Sequence, residues 1–156
     1  MNNVYYIYDS AFGEIVIESD GCAITCIKTK GNLLPKGKKE ADALTDKAAE
    51  QLFEYFAGKR DRFNVPLNPH GTDFQCTVWK ALQDIPYGET QSYKQIAVTI
   101  KKPKACRAVG MANNKNPIWI MIPCHRVIGS DKSLTGYGGG LEMKRKLLEL
   151  EQKNKL

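Results

Sequence analysis

Apolar and polar positions recur at spacings that change along the chain. Residues 4–8, 14–18 and 22–28 are short, rich in β-branched and aromatic side chains and partly alternating. Phe12-Gly13 and Ser19-Asp20-Gly21 separate them with turn chemistry, so a meander of three strands is predicted. Pro35-Lys36-Gly37-Lys38-Lys39 reads as a charged loop. From about 41 to 57 the period lengthens: Leu44, Ala48, Leu52, Tyr55 and Phe56 recur at three and four, which is one face of a helix, and Gly58 is placed to end it in a left-handed cap. A last strand is expected around 63–67. Asn68-Pro69-His70-Gly71-Thr72, all loop chemistry, then marks a boundary between a domain of residues 1–70 and one of residues 71–156.

The second domain reads as mainly helical, which makes the whole chain α+β. Residues 73–83 turn Val78, Trp79 and Leu82 inward, and Ile85-Pro86-Tyr87-Gly88 breaks that helix. Ser92-Tyr93-Lys94-Gln95 has the form of a capping box, in which hydroxyl and amide satisfy backbone donors reciprocally, and Ile96, Ala97 and Ile100 continue the helix it opens. Pro103 fits the first turn of the next helix, about 104 to 113, whose members are mostly small: Ala105, Cys106, Ala108, Gly110 and Ala112. Two short helices joined by a basic turn suggest a helix-turn-helix, the small residues permitting close backbone approach. An ordinary helical hairpin packed on a core is the alternative. Ile118-Trp119-Ile120-Met121-Ile122 reads as a buried strand or extended segment ending at Pro123, 136–140 as a flexible glycine loop, and 141–151 as a final helix.

Length and composition narrow the class. A chain of 156 residues suits one domain or two small ones, and 42% hydrophobic with 26% charged residues excludes collagen-like, coiled-coil and disordered chains. The longest apolar run, 118–123, is too short for a bilayer, so no membrane partner is expected. The first residues lack a basic start and long apolar stretch, which leads us to expect the cytosol, where five cysteines argue for free thiols. Charge is unevenly placed: residues 1–70 carry 9 basic and 10 acidic side chains, residues 71–156 carry 14 and 7. Between Glu89 and Asp131 there is no acid, against Lys94, Lys101, Lys102, Lys104, Arg107, Lys115 and Arg126. A one-sign stretch inside a folded segment is the footprint for a polyanion such as nucleic acid, or a solvated basic surface.

Candidate chemistry sits next to the apolar run. In Cys124-His125-Arg126 the thiol lies at a core edge beside basic groups, which lower a thiol's pKa and generate the nucleophilic thiolate. Neighbouring side chains on a strand point to opposite faces, so Cys124 and His125 meet only if the chain turns there. Glu151, three and four residues beyond Leu148 and Leu147, shares their apolar face, whereas Glu142 and Glu149 do not. A carboxylate there needs a partner, and His125 would make a Glu–His–Cys relay. A buried inert thiol beside a surface histidine, and a Glu151 bonded to a backbone amide, stand as alternatives. Cys22 and Cys26 share a strand face without a second ligand pair at metal spacing, so neither metal nor cofactor is expected.

Pro86-Tyr87-Gly88-Glu89-Thr90, Ser92-Tyr93, Arg107-Ala108-Val109-Gly110, Asn116-Pro117, Ile122-Pro123-Cys124-His125-Arg126-Val127 and Gly136-Tyr137-x-Gly139-Gly140 together resemble the O6-alkylguanine-DNA alkyltransferases, with order and spacing agreeing over residues 74–151. The resemblance implies a ribonuclease-H-like first domain and a winged-helix or helix-turn-helix second domain. It implies a monomer acting on double-stranded DNA that contains O6-alkylguanine, with one irreversible alkyl transfer to Cys124 after the base is flipped out. His125 then deprotonates Cys124 through a water, Glu151 orients His125, and Asn116 braces the turn. Tyr93 contacts the flipped base and neighbouring phosphate, and Arg107 fills the vacated gap in the minor groove. Ser92, Ala108, Arg126, Val127, Trp119, Tyr137 and Gly138 join the DNA- or substrate-contacting set. Trp119 would restrict the pocket by its bulk, and Gly138, where many members have Ser, leaves only a backbone amide for the guanine oxygen. The rivals are a lesion-binding protein that transfers nothing and a Cys-His hydrolase.

Overall fold

In the computed structural model, residues 3–31, 35, 37–131, 137 and 140–155 are described, so most of the expected glycine loop lies outside the described residues. The chain divides into two compact units, Met1–His70 and Gly71–Leu156.

The alternation in the first unit builds a four-stranded sheet of order β3-β2-β1-β4. The strands β1 (Val4–Ser10), β2 (Gly13–Ser19) and β3 (Ile24–Thr29) form antiparallel pairs in sequence, with Ser10 opposite Gly13 at the first turn. Gly13 takes φ 95°, a conformation open to glycine. The expected loop at 35–39 contributes a short strand, β4 (Lys38–Lys39), parallel to Val4 and Tyr5. Its lysines sit on a sheet edge, where charge discourages further pairing. Helix α1 (Ala43–Phe56) starts two residues later than the periodicity suggests, because Asp42 and Thr45 form a capping box, with Asp42 Oδ1 accepting from Thr45 N at 2.7 Å and Thr45 Oγ1 accepting from Asp42 N at 2.9 Å. Its buried Ala48, Ala49, Leu52 and Tyr55 make up the helical side of a core completed by Ile15, Ile17, Ile24 and Ile27. The strand expected at 63–67 shrinks to one bridge between Ile24 and Leu67. Pro66 can accept from Ile24 N at 2.8 Å but has no N–H with which to extend a ladder.

The second unit opens with α2 (Asp73–Leu82), capped by Thr72 and Gln75. Its Trp79 is buried, and the indole N–H donates to the Ala112 carbonyl at 2.8 Å. That bond anchors α4 (Cys106–Asn114), the second of two short helices. The first, α3 (Tyr93–Thr99), begins at the Ser92 capping box with Gln95. Pro103 falls in the turn between them and not in the first turn of α4. Lys101 holds φ 63° there, and Lys102 N donates to Ala97 O at 2.9 Å.

The segment 118–122 is buried as expected but is not a strand. Ile120 takes φ 74°, Met121 N donates to Trp119 O and Ile122 N to Ile118 O, so the chain reverses within five apolar residues. A single 3₁₀ turn, Cys124–Arg126, follows and leads into β6 (Val127–Ile128). This strand pairs in parallel with β5 (Gln91–Ser92), placing the residues after the turn beside the N-cap of α3. The last helix, α5 (Leu141–Asn154), buries Lys144, Leu147 and Glu151 on one stripe. Among the described residues no helix is long and apolar enough to cross a membrane.

Candidate active site

The reversal at 118–122 is held by one side chain. Asn116, fully buried, accepts from Ile118 N through Oδ1 at 2.9 Å and donates through Nδ2 to Ile122 O at 2.8 Å, stapling both ends of the loop. Ile122 O also accepts from Cys124 N at 2.8 Å. The chain therefore enters the 3₁₀ turn with its direction set. In such a turn consecutive side chains project about 120° apart, not to opposite faces, so Cys124 and His125 satisfy the condition that the sequence left open. Cys124 is 2% exposed and His125 has no exposed surface.

His125 Nε2 lies 2.6 Å from Glu151 Oε2. The carboxylate is surrounded by donors: Arg126 Nε at 2.9 Å and Gly88 N at 3.1 Å reach Oε1, and Arg126 Nη2 at 3.0 Å reaches Oε2. Burial alone would raise the Glu151 pKa, but the hydrogen bonds and charges of His125 and Arg126 outweigh it and bring it to about 2. Burial holds the His125 pKa below its ordinary value, although Glu151 opposes this. The pair is thus an ionised carboxylate, matched by Arg126, and a neutral imidazole that donates through Nε2–H. His125 Nδ1 has no hydrogen-bond partner among the described residues and carries the ring's lone pair.

Arg126 and Val127 depart from the expectation of contacts with DNA or substrate. Arg126 is 6% exposed, its Nη1 donates to Ile85 O at 2.7 Å, and its guanidinium lies 5.7 Å from the centre of the Tyr87 ring. It serves as Glu151's countercharge, because a buried carboxylate needs one. Val127 is wholly buried, and its carbonyl accepts from the Lys144 ammonium. Trp119 and Tyr137 meet with ring centres 5.5 Å apart, both buried, and burial raises the Tyr137 phenol well above its ordinary pKa. Gly138 lies outside the described residues. Arg107 and Ala108 are exposed on α4, while Ser92 and Tyr93 are half-buried at the start of α3. A Cβ on Gly110 would sit 3.7 Å from the Tyr93 ring, which puts α4's small face beside that tyrosine.

Two site residues escaped the sequence reasoning. Lys144 is fully buried, and burial lowers its pKa to about 8 while the charge of nearby Cys124 works in the opposite sense. It lies three and seven residues before Leu147 and Glu151, so the periodicity that singled out Glu151 also contained Lys144. Asn113, 2% exposed, donates to Cys124 O at 3.3 Å. It follows Val109 and Ala112 on the buried stripe of α4, and a polar residue on such a stripe was its signal.

A buried thiol and imidazole on one turn, the imidazole held by a carboxylate from α5 and the turn bonded to α4, lie in the same unit as a pair of short helices that expose basic side chains. Comparison with known proteins gives the family. Residues 73–153 match the model described as 6-O-methylguanine DNA methyltransferase, DNA binding domain, and residues 3–69 match its ribonuclease-like domain. The chain belongs to the 6-O-methylguanine DNA methyltransferase family. It is 58% identical over 128 residues to a methylated-DNA–protein-cysteine methyltransferase of Methanosarcina barkeri, covering 76% of this chain and 81% of that one. A protein of the same name from Methanosarcina acetivorans is 47% identical over 151 residues, covering 94% and 97%. The structure of Mycobacterium tuberculosis OGT in complex with DNA superposes with a TM-score of 0.92 at 46% identity, covering 97% of this chain and 94% of that one.

Proposed function

We propose that this protein repairs alkylated DNA directly, by irreversible transfer of the alkyl group from O6-alkylguanine, and from O4-alkylthymine, to Cys124. The observation that supports this reading is a buried His125, next to Cys124 on a 3₁₀ turn, whose Nε2 is bonded to Glu151 and whose pKa burial holds below the ordinary value. His125 Nδ1 accepts the thiol proton, directly or through a water. The thiolate attacks the alkyl carbon, the S–C bond forms as the C–O6 bond breaks, and the departing guanine takes up the proton. No second step releases the alkyl group, so each molecule acts once. Glu151 keeps the imidazole in the tautomer that can accept a proton, by analogy with the third member of a catalytic triad.

In this reading DNA docks on α3 and α4 as a monomer's substrate. The O6 atom faces the pairing partner inside a duplex, so the base must be extruded before Cys124 can reach its alkyl group. Arg107 occupies the gap, Ala108 and Gly110 let the helix backbone approach the minor groove, and Tyr93 and Ser92 contact the base and the neighbouring phosphate. Trp119 and Tyr137 line the pocket, and Asn116 fixes its floor.

Intact-protein mass spectrometry after incubation with a duplex carrying one O6-methylguanine tests this. One added methyl per molecule, mapped to Cys124 and absent in Cys124→Ala, is the expected result. An unchanged mass with the duplex still bound would instead make the protein a lesion binder.

A further inference from the structure

Asn113 stands at a junction that the reaction scheme leaves unused. It projects from the buried side of α4, and its Nδ2 donates to Cys124 O, which also accepts from Val127 N. This carbonyl belongs to the peptide linking Cys124 to His125, so the plane of that peptide sets the direction of both reactive side chains. Two residues earlier, Asn116 holds Ile122 O. One amide from α4 thus holds the peptide that follows the nucleophile, and one from its exit holds the Ile122–Pro123 peptide, one link before the peptide that precedes it.

The other end of the Asn113 amide suggests why an amide is kept there. Oδ1 is buried and has no hydrogen-bond partner among the described residues. A buried acceptor without a partner carries a desolvation cost that offsets much of what the single N–H contributes, so a hydrocarbon of similar size would serve packing at least as well. What the hydrocarbon lacks is the directed bond to Cys124. Arg107, on the same helix, lies on a different side, roughly 240° around at 100° per residue, and is exposed. One rigid element of nine residues therefore carries the proposed DNA contact outward and the hold on the nucleophile inward.

We propose that Asn113 is a positioning residue that couples docking of DNA on α4 to the orientation of Cys124. The inference rests on the alkyltransferase reading above. Docking immobilises α4, and the Asn113–Cys124 bond passes that constraint to the peptide plane of the turn, holding the sulfur in line with the alkyl carbon.

Single-turnover transfer from an O6-methylguanine duplex, followed over a range of duplex concentrations, separates positioning from binding. For Asn113→Leu the limiting rate should fall at least tenfold, the half-saturating duplex concentration should stay within twofold, and the thermal midpoint should be unchanged or higher. An unchanged limiting rate overturns the proposal, as does a slower rate matched by weaker duplex binding and a lower midpoint, which marks a merely structural side chain. Asn113→Ala, read in the same way, replaces the leucine variant if that one fails to fold. The underlying reading fails separately: a wild-type protein that transfers nothing removes the reaction itself, whereas a wild type and an Asn113→Leu variant of equal speed remove only the coupling.

Discussion

Glu151 accepts from Gly88 N, from His125 Nε2 and twice from Arg126, a guanidinium that never loses its charge, in a site with almost no solvent. Its folded pKa of about 2 lies below the ordinary 4.5, so on acidification the unfolded chain binds the proton first. The stability it contributes is complete above about pH 4.5 and disappears as pH falls toward 2; the difference corresponds to about 3 kcal/mol. His125 acts in the same direction at higher pH. Its folded pKa is held below 6.5, so stability starts to decline once the unfolded histidine charges. Urea unfolding measured between pH 7 and pH 3 should therefore show a loss in two stages. Glu151→Gln should abolish the lower stage and be less stable at pH 7 by roughly 3–5 kcal/mol, because Arg126 is left buried without a countercharge. A variant that retained the full acid slope would assign it elsewhere. The position of Glu151 was legible because helical periodicity places a residue on a face. The role of Arg126 was not: its charge counted toward the basic surface, and no local rule reports that a side chain turns inward toward a helix 25 residues away.

The helices show the same divide. The cap at Ser92 and the small face of α4 could be read directly, since both are rules of neighbouring residues. The reversal at 118–122 could not, because a run of five apolar residues has no period to read and the turn depends on a β-branched residue, Ile120, in the left-handed region. Pairing of β5 with β6 was equally invisible: two-residue strands whose partners, Gln91 with Val127 and Ser92 with Ile128, lie far apart in sequence leave no local trace. Within α4, Gly110 offers a test of why small residues occupy it. An added methyl would meet only the Tyr93 ring, at ordinary contact distance, and alanine gains about 1 kcal/mol over glycine inside a helix. Gly110→Ala should raise the thermal midpoint by roughly 2–4 °C. The same methyl narrows the approach to Tyr93, the proposed base contact, so transfer at saturating duplex should slow several-fold. A variant both more stable and equally fast would show that the missing side chain there serves no approach to DNA.

At the scale of the whole molecule the legible feature was charge, and the structure revises its size. Of the seven bases in the acid-free stretch, Arg126 is committed to Glu151, while Lys94, Lys101, Lys102, Lys104, Arg107 and Lys115 are exposed. Six cations set a ceiling on the phosphates that this face can neutralise. Each neutralised phosphate contributes about −0.9 to the slope of log affinity against log salt, so binding to unmodified duplex should show a slope no steeper than about −5. Replacing Lys101, Lys102 and Lys104 by glutamine should reduce its magnitude by as much as about 3. Because these lysines act on phosphates at long range and touch neither Cys124 nor His125, the limiting rate of transfer at saturating duplex should be unchanged in the triple variant. Fluorescence anisotropy across a salt series measures the first quantity and single-turnover kinetics the second. An unaltered slope would place the DNA on another face of the molecule, and a fall in the limiting rate would mean that the basic turn orients the duplex as well as attracting it.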